Sequence, residues 1–360
     1  LGDFVGLDDL MTENPRVVSG FIDIYGYWID EFNVDGFRID TAKHVNPEFW
    51  QAFVPAMLSR AQARGIPNFH IFGEVYTSEV DPALLARATR VSQLPAVIDF
   101  AFRAAVLRTL AGDAGTETLA HLFDADVLYQ AGTATAAILP TFVSNHDQGR
   151  FGYYARRAFP AASDDEILKR SILAQAMMFT LRGVPVVYAG DEQGFAGDGD
   201  DQNAREDMFA SQVASYNDNR LIGTDATTAR SSFNQDHPLF KAISELSRLR
   251  REQPALRRGE QLIRNFGDKP GLFAVSRIDP QTGAEIIVAF NTSTVPLSTN
   301  VTIDARSTQF TALHGVCAPD AWAPGSYKVQ LAPLDYVVCA AVGEGRKTIP
   351  QRPTPGEASR

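Results

Sequence analysis

An arginine and an aspartate stand two residues apart at the end of the segment VDGFRID, residues 34–40. The segment reads as a β-strand, in which successive side chains point to opposite faces, so Arg38 and Asp40 share one face while Phe37 and Ile39 share the other. A guanidinium beside a carboxyl lowers the pKa of that carboxyl by roughly 1 to 3 units. We therefore expect Asp40 to be ionised and to suit the role of a carboxylate nucleophile.

Two further acids stand in the same kind of place. Glu74 ends the run FHIFGE at residues 69–74, and Asp147 closely follows the run ILPTFV at residues 138–143. Acids at strand ends commonly cap helices, which is the plain interpretation of any one of them. Three of them in a series of alternating strands and helices favour catalysis, because the carboxyl ends of the strands converge in a closed βα barrel.

Two carboxyl groups about 5 Å apart can cleave an acetal by double displacement, one attacking the carbon and the other protonating the leaving oxygen. The proton donor needs a raised pKa, and Phe72 and Val75 flank Glu74 with apolar groups that favour its neutral form. Asp147 is then the candidate for binding sugar hydroxyls and favouring a distorted ring with oxocarbenium character. His146 is the candidate for donating a hydrogen bond to the same sugar.

Charge and hydropathy narrow the class of partner. The 360 residues carry a formal net charge of −10, which argues against nucleic acid or an anionic membrane surface because their phosphates would be repelled. A neutral substrate fits this balance better. The most apolar run, residues 172–190, is interrupted by Gln175, Arg182 and Pro185, so the sequence predicts no membrane-spanning helix.

The order of predicted elements indicates the architecture. From residue 14 to about residue 190, amphipathic helices alternate with short β-rich runs, which predicts βα units around one parallel sheet. Asn14 and Pro15 predict the start of a helix on whose apolar stripe Trp28 and Phe32 should be core residues. The predicted parallel strands cover residues 34–40, 69–74, 96–100, 138–143 and 184–188.

The texture of the sequence changes after about residue 255. Short alternating strands separated by turns predict a small antiparallel β-sandwich. These strands cover residues 272–276, 285–290, 300–303, 310–313, 327–331 and 336–341. Residues 343–360 are polar and rich in proline and glycine, and we expect them to be a disordered tail.

The two cysteines, Cys317 and Cys339, both lie in the predicted sandwich and in no metal-binding spacing. Two interpretations are open, a disulfide across neighbouring strands or two separate buried thiols, since spacing alone does not show how closely the two Cα atoms approach.

Four segments together resemble a known family. GFRIDTAKH at residues 36–44, FGEVY at 72–76, FVSNHD at 142–147 and GVPVVYAGDE at 183–192 look like successive conserved regions of the α-amylase family, glycoside hydrolase family thirteen. Their order and approximate spacing also match, and the resemblance spans roughly residues 6–210. One such block alone is moderate evidence, whereas four in order are strong evidence.

The resemblance implies an enzyme that cleaves α-glucosidic bonds with retention, acting on starch-like α-glucans or maltooligosaccharides. Asp40 matches the nucleophile, Glu74 the general acid/base and Asp147 the stabiliser of the transition state. Arg38 and His146 match residues that hold the nucleophile and the sugar at the point of cleavage.

Further matches concern the substrate on either side of the cleaved bond. Lys43 and His44 match positions on the leaving-group side and favour an endo-acting α-amylase over an exo-acting α-glucosidase. Tyr76 could stack on a sugar or merely cover the barrel rim. The resemblance also implies a secreted or periplasmic protein.

The family's barrel has eight strands, and only the strands that match the fourth to the eighth are recognisable here. The fold expected is therefore a partial (β/α)8 TIM barrel followed by a C-terminal antiparallel β-sandwich. We predict a remnant of the inserted domain B over residues 1–13, in which residues 6–10 match the end of that insertion. The C-terminal part of the barrel follows over residues 14–255, and the sandwich over residues 256–342.

The family usually binds a structural Ca²⁺ ion, and the carboxylate of Asp9 and the backbone carbonyl of His44 match two of its ligands. Because Ca²⁺ takes about 6 to 8 oxygen ligands, these two do not make a tight site. The acidic cluster over residues 198–203 lacks the glycine and the distal glutamate of an EF-hand, and we interpret it as a solvated loop on the substrate side.

Two other functions compete with hydrolysis. A transglycosylase of the same family, making cyclic or branched glucans, would share these carboxylates and exclude water better. A non-catalytic scaffold or binding protein would keep the fold alone. The intact set of Asp40, Glu74 and Asp147 argues against a scaffold.

Expressed alone, residues 1–360 are predicted to be poorly stable and weakly active or inactive. A barrel of this kind closes with eight strands, so five strands leave open sheet edges and exposed apolar surface, and both favour aggregation. Size-exclusion chromatography, thermal melting and a starch-cleavage assay check this expectation, with the complete natural open reading frame as the control. A monomeric, cooperatively melting 360-residue protein that cleaves starch would contradict it.

Overall fold

A computed structural model describes residues 6–342 of the chain and divides them into two compact units. The first unit contains residues 6–105, 121–143 and 183–186, and the second contains residues 106–120, 144–182 and 187–342. The parallel strands fall in the first unit and the antiparallel strands in the second. The predicted tail, residues 343–360, lies outside the described residues.

Helices precede and separate the parallel strands. In the described range, the α-helices are α1 (Pro15–Phe32), α2 (Pro47–Ala63), α3 (Pro82–Arg90), α4 (Phe100–Leu110), α5 (Glu117–Asp124), α6 (Thr133–Ala136), α7 (Phe151–Ala158), α8 (Asp164–Thr180), α9 (Ala214–Asn217), α10 (Pro238–Glu252) and α11 (Pro254–Arg258). The parallel strands are β1 (Gly36–Ile39), β2 (His70–Gly73), β3 (Ala96–Val97), β4 (Pro140–Thr141) and β5 (Val184–Pro185). The antiparallel strands are β6 (Glu260–Asn265), β7 (Leu272–Ile278), β8 (Glu285–Asn291), β9 (Leu297–Thr302), β10 (Gln309–His314), β11 (Ser326–Leu331) and β12 (Asp335–Val342).

The five predicted parallel strands are all present, but they are shorter than predicted and form two sheets. β1, β2 and β3 pair in that order, and β4 pairs with β5, all in parallel. One backbone hydrogen bond of 2.8 Å, from the amide of Asp99 to the carbonyl of Pro140, joins the end of β3 to β4. Proline at two of the four β4 and β5 positions removes ladder donors, which explains why these strands are short.

Helix α1 begins and ends where the sequence indicates. The Asn14 side chain accepts the amide of Arg16, Pro15 is the first helical residue, and Asn33 ends the helix in a left-handed conformation. The expectation that Trp28 and Phe32 are core residues is wrong, because both side chains are about half exposed among the described residues.

Trp28 and Phe32 belong to an exposed apolar face of α1. Ile24 and Tyr27 are also exposed there, and the rings of Tyr27, Trp28 and Phe32 contact one another at centroid distances of 5.0 to 6.1 Å. Helical periodicity correctly predicts an apolar stripe, but the side of the helix that packs on α2 is instead centred on the buried Gly26 and Ile29.

The predicted antiparallel sandwich is present in the second unit. One sheet has the order β10–β12–β8–β7–β6, and β9 pairs with β11 in a smaller sheet. Both sheets contribute to one apolar core, which includes Ile287 and Val337 from the larger sheet and Val301, Tyr327 and Val329 from the smaller one. Strand β6 was not predicted, because its sequence EQLIRN has little apolar alternation.

The cysteines form a disulfide between Cys317 and Cys339, with a Cα–Cα distance of 5.8 Å. The bond ties the segment after β10 to strand β12 and so closes a loop within the sandwich. This settles the question that the spacing left open. Separately, none of the helices among residues 6–342 combines the length and the apolarity that crossing a membrane requires.

Removing the disulfide is predicted to destabilise the sandwich by about 3 kcal/mol, because a closed loop of this length restricts the unfolded chain by that amount. A Cys317→Ser, Cys339→Ala double variant should unfold at a lower urea concentration than the unsubstituted protein. Reductant should lower the midpoint of the unsubstituted protein and leave that of the variant unchanged. Equal midpoints for the two oxidised proteins would contradict this.

Candidate active site

Asp40 and Glu74 lie next to each other because their strands pair in register. Gly36 is aligned with His70, and the alignment continues to the ends of β1 and β2. The amide of Glu74 donates to the carbonyl of Ile39 at 2.7 Å, which extends the pairing one residue beyond the end of β2. The first residue after each strand is therefore an acid, and the two acids leave the same edge of the sheet.

Arg38 joins the two acids. Its Nη1 atom forms an ion pair with the Asp40 carboxylate, and its Nη2 atom lies 3.3 Å from Oε2 of Glu74. The same-face prediction for Arg38 and Asp40 is therefore confirmed. The donors of a planar guanidinium point in fixed, separate directions, so one arginine can bind two carboxyl groups at once. The ammonium group of a lysine is a compact charge without this fixed geometry.

The backbone after Asp40 also turns towards Glu74. Thr41 has a φ of 50°, a left-handed conformation that β-branched residues rarely adopt. Its amide donates to Oε2 of Glu74 at 3.3 Å. Sequence reasoning missed this contact, because an unusual φ at a threonine has no local sequence signal. Strained backbone of this kind concentrates at functional sites.

The two carboxyl groups differ in solvation. The Asp40 side chain is 62% exposed and that of Glu74 is 14% exposed. Burial raises the pKa of Glu74 above its ordinary value, and the neighbouring Asp40 raises it further, whereas Thr41 and Arg38 act in the opposite direction. A site with one exposed carboxyl and one buried carboxyl of raised pKa can supply both a nucleophile and a proton donor.

The predicted leaving-group residues lie in the turn after Asp40. Lys43 and His44 belong to the 3₁₀ turn Ala42–His44. The Lys43 ammonium donates to the carbonyl of Tyr76 at 3.2 Å and lies 5.0 Å from the centre of its ring. The Tyr76 ring also packs edge-on against Phe100. The structure thus brings Lys43 and Tyr76 together in the first unit, beside the segments that carry Asp40 and Glu74.

Asp147 and His146 lie in the second unit, in the turn after β4. Nε2 of His146 is 3.2 Å from Oδ2 of Asp147. The Asn145 side chain accepts the amides of Asp147 and Gln148 at 3.2 and 2.7 Å, which holds the turn in a fixed shape. The side chains of His146 and Asp147 therefore contact each other, and both are partly exposed.

Arg205 is a further neighbour of Asp147 that sequence reasoning missed. Its Nη2 atom lies 3.4 Å from Oδ1 of Asp147 and 2.6 Å from Oδ1 of Asp201. The amide of Asp201 also donates to the carbonyl of Asp147 at 3.1 Å. The acidic loop over residues 198–203 thus contacts the turn that carries Asp147. In the sequence, the only sign of this contact is the high density of polar residues in that loop.

The two predicted calcium ligands, Asp9 and the carbonyl of His44, lie among the described residues. No group of three or more histidine, cysteine, aspartate or glutamate side chains within residues 6–342 is arranged to hold a metal ion. Asp9 is exposed and His44 is half-buried. The predicted set includes a backbone carbonyl, which lies outside such side-chain groups, so Asp9 and His44 as Ca²⁺ ligands remain a prediction from resemblance.

Comparison with known proteins gives a consistent result. The family described as Alpha amylase, catalytic domain, matches residues 2–259. An alpha-amylase of Streptomyces lividans is 41% identical over 317 residues, which cover 88% of this chain and 34% of that protein. The chain thus spans about a third of the length of this relative.

Solved structures show the same fold at lower sequence identity. The alpha-amylase of Geobacillus thermoleovorans, solved in complex with acarbose, gives a TM-score of 0.74 at 23% identity and covers 96% of this chain and 68% of that one. A cyclomaltodextrin glucanotransferase with a three-domain arrangement gives a TM-score of 0.72 at 22% identity, covering 95% and 63%.

The stability of the Glu74→Gln variant, relative to that of the unsubstituted protein, is predicted to increase as the pH rises. The folded protein with its raised Glu74 pKa retains a proton that the unfolded chain releases, so this contribution to stability is present at low pH and lost as the pH rises through the raised pKa. Glutamine has no such dependence. The unfolding midpoint of Glu74→Gln relative to the unsubstituted protein should therefore rise as the pH increases from the ordinary glutamate pKa through the raised one.

The control for this measurement is Glu31→Gln, which removes an acid from the exposed surface of α1. Its midpoint relative to the unsubstituted protein should change little over the same range. A difference for Glu74→Gln that falls with rising pH would contradict the burial of this carboxyl.

Proposed function

This chain belongs to the alpha-amylase family, and on that premise we propose that the complete protein hydrolyses α-1,4-glucosidic bonds in starch-like α-glucans or maltooligosaccharides. The proposal is endo-acting hydrolysis with retention. Its main support is one observation, the adjacent Asp40 and Glu74 carboxyl groups that share Arg38 yet differ in solvation. A scaffold or binding protein would not require this asymmetry.

In the first step of the proposed mechanism, a carboxylate oxygen of Asp40 attacks the anomeric carbon while Glu74 gives its proton to the leaving glycosidic oxygen. A covalent glycosyl-enzyme forms, and the leaving chain departs as an alcohol. The raised pKa of Glu74 supports this role, because the side chain must hold a proton when the substrate is bound.

In the second step, Glu74 is a carboxylate and takes a proton from water. The water oxygen attacks the anomeric carbon, the bond to Asp40 breaks, and the sugar leaves with its original anomeric configuration. Asp147 is proposed to stabilise the oxocarbenium-like charge of both transition states, with His146 binding the same sugar. Arg38 keeps Asp40 oriented throughout.

Substrate binding is proposed to extend to Lys43, His44 and Tyr76 on the leaving-group side. The contact of the Lys43 ammonium with Tyr76 fixes both side chains close to the segment that follows Asp40. Binding of acarbose by the G. thermoleovorans structure supports an oligosaccharide ligand for a fold of this kind.

Transglycosylation is the second candidate. It is supported by the similar TM-scores to an alpha-amylase and to a cyclomaltodextrin glucanotransferase. The same carboxyl groups serve both reactions, and the outcome depends on whether water or a sugar hydroxyl reaches the glycosyl-enzyme. Linear maltooligosaccharides from starch would support hydrolysis, and new cyclic or branched products would support transfer.

In the complete protein, Glu74→Gln is predicted to lower kcat on a maltooligosaccharide by about 10²- to 10⁴-fold, since an amide cannot protonate the leaving oxygen. The affinity for the same oligosaccharide, measured by calorimetry, should change little. Asp40→Asn should abolish turnover. The control is Asp23→Asn, which removes an exposed acid that pairs with Arg60 on the surface and should retain kcat.

Turnover by Glu74→Gln at more than about a tenth of the original rate would refute its assigned role. The anomeric form of the first product, read by nuclear magnetic resonance, tests the mechanism separately. Retention requires the α-anomer, and an initial β-anomer would refute the double displacement.

A further inference from the structure

The second unit contains an arginine that is completely buried. Arg150 has no exposed side-chain surface, and it lies three residues after Asp147. Its Nε atom donates to Glu206 at 2.7 Å, its Nη1 atom to Asp191 at 2.9 Å and its Nη2 atom to the carbonyl of Ala189 at 3.0 Å. Each nitrogen of the guanidinium therefore has a partner.

A buried charge of this kind is costly unless it is fully paired. The Asp191 and Glu206 side chains are 7% and 2% exposed, so two carboxylates are buried with the guanidinium. The rings of Tyr188 and Phe195 lie 4.2 and 5.0 Å from its central carbon. Replacing such a cluster by apolar groups often increases stability, so stability alone does not explain why it is present.

Asp191 lies at the base of the turn that carries Asp147. Its carboxylate accepts from Nη1 of Arg150 at 2.9 Å, and Ser144, at the other end of the turn, is close enough to lower its pKa. The Ser144 hydroxyl in turn accepts the amide of Phe151 at 3.0 Å. Burial raises the pKa of Asp191 to about 6, an effect that Arg150 and Ser144 oppose. The two ends of the turn are therefore joined by the hydrogen bond between Ser144 and Phe151, and Asp191 binds Arg150 beside it.

Glu206 connects the same arginine to the loop that contacts Asp147. One of its oxygens binds Arg150 and the other accepts the amide of Gly197 at 2.7 Å, which ties the beginning of this loop to its end. The preceding residue is Arg205, whose guanidinium reaches the Asp147 carboxylate. The backbones also meet closely, since a Cβ atom on Gly149 would lie 2.2 Å from the carbonyl oxygen of Gly199.

We propose that Arg150 is a positioning residue, which acts through Asp191 and Glu206 to hold the Asp147 carboxylate in the place that the reaction requires. The proposal rests on the proposed function of Asp147. Arg150 is too deeply buried to contact substrate, and its partners hold both the turn that carries Asp147 and the loop that binds it. A displacement of about 1 Å at a reacting group can cost about 10²-fold in rate.

The test uses Glu206→Gln in the complete protein, because this variant keeps the shape of the side chain and spares the fold the loss of a buried arginine. The control is Glu285→Gln, which replaces another buried carboxylate that pairs with an arginine, Arg264, in the antiparallel sheet. Asp40→Asn serves as the inactive reference. The measurements are kcat, KM, thermal midpoint and hydrogen exchange of the peptide covering residues 144–151.

Glu206→Gln is expected to lower kcat by about 10- to 100-fold and to leave KM within about twofold. Its hydrogen exchange over residues 144–151 should be faster than that of the unsubstituted protein. Glu285→Gln should lower the thermal midpoint by a similar amount but retain both kcat and slow exchange over residues 144–151. Equal kcat values for the two variants would overturn the proposal. Faster exchange of Glu206→Gln with unchanged kcat would overturn it too, since the turn would then move without consequence.

The proposed function has a separate signature in the same experiment. If the unsubstituted protein shows no hydrolysis above that of Asp40→Asn, the proposed function fails, and the positioning role of Arg150 fails with it. If the unsubstituted protein is active and Glu206→Gln matches it, only the positioning proposal fails.

Discussion

The in-register parallel pairing of β1 with β2 is the constraint on which the chemistry of the first unit depends. It brings Asp40 and Glu74 out at the same edge of the sheet and lets Arg38 reach both. The pairing needs a glycine, because a Cβ atom on Gly36 would lie 2.1 Å from the carbonyl oxygen of His70. A slip of one residue would turn Arg38 and Asp40 to the opposite face and separate the two acids.

Both units use an arginine to organise acids that are remote along the chain. Arg38 pairs with Glu74, 36 residues away, and Arg150 pairs with Asp191 and Glu206, 41 and 56 residues away. The planar guanidinium makes this possible, since its donors point in separate fixed directions. The environments differ, however. The first cluster is partly exposed, which leaves Asp40 accessible to a substrate. The second is buried, and its proposed role is to hold the position of Asp147.

Local patterns predicted the helix starts and the strand-end acids well, and they failed where burial depends on neighbours. Asn14 caps α1 as its place before Pro15 indicates, by accepting the amide of Arg16. Trp28 and Phe32 lie on a correctly predicted apolar stripe yet are exposed, because periodicity identifies a stripe without identifying what covers it. Strand β6 escaped prediction because pairing with β7, and not its own composition, holds it in the sheet.

The sequence by itself determined the family and the residues to which chemistry is assigned, because nucleophiles and proton donors are recognisable by type and by their place after a strand. Only the tertiary structure decided that Arg38 joins Asp40 to Glu74, that Cys317 and Cys339 pair, and that Arg150 joins Asp191 to Glu206. These properties depend on distances between residues far apart in the chain. Local periodicity and composition contain no information on such distances, which arise only when the strands and loops pack.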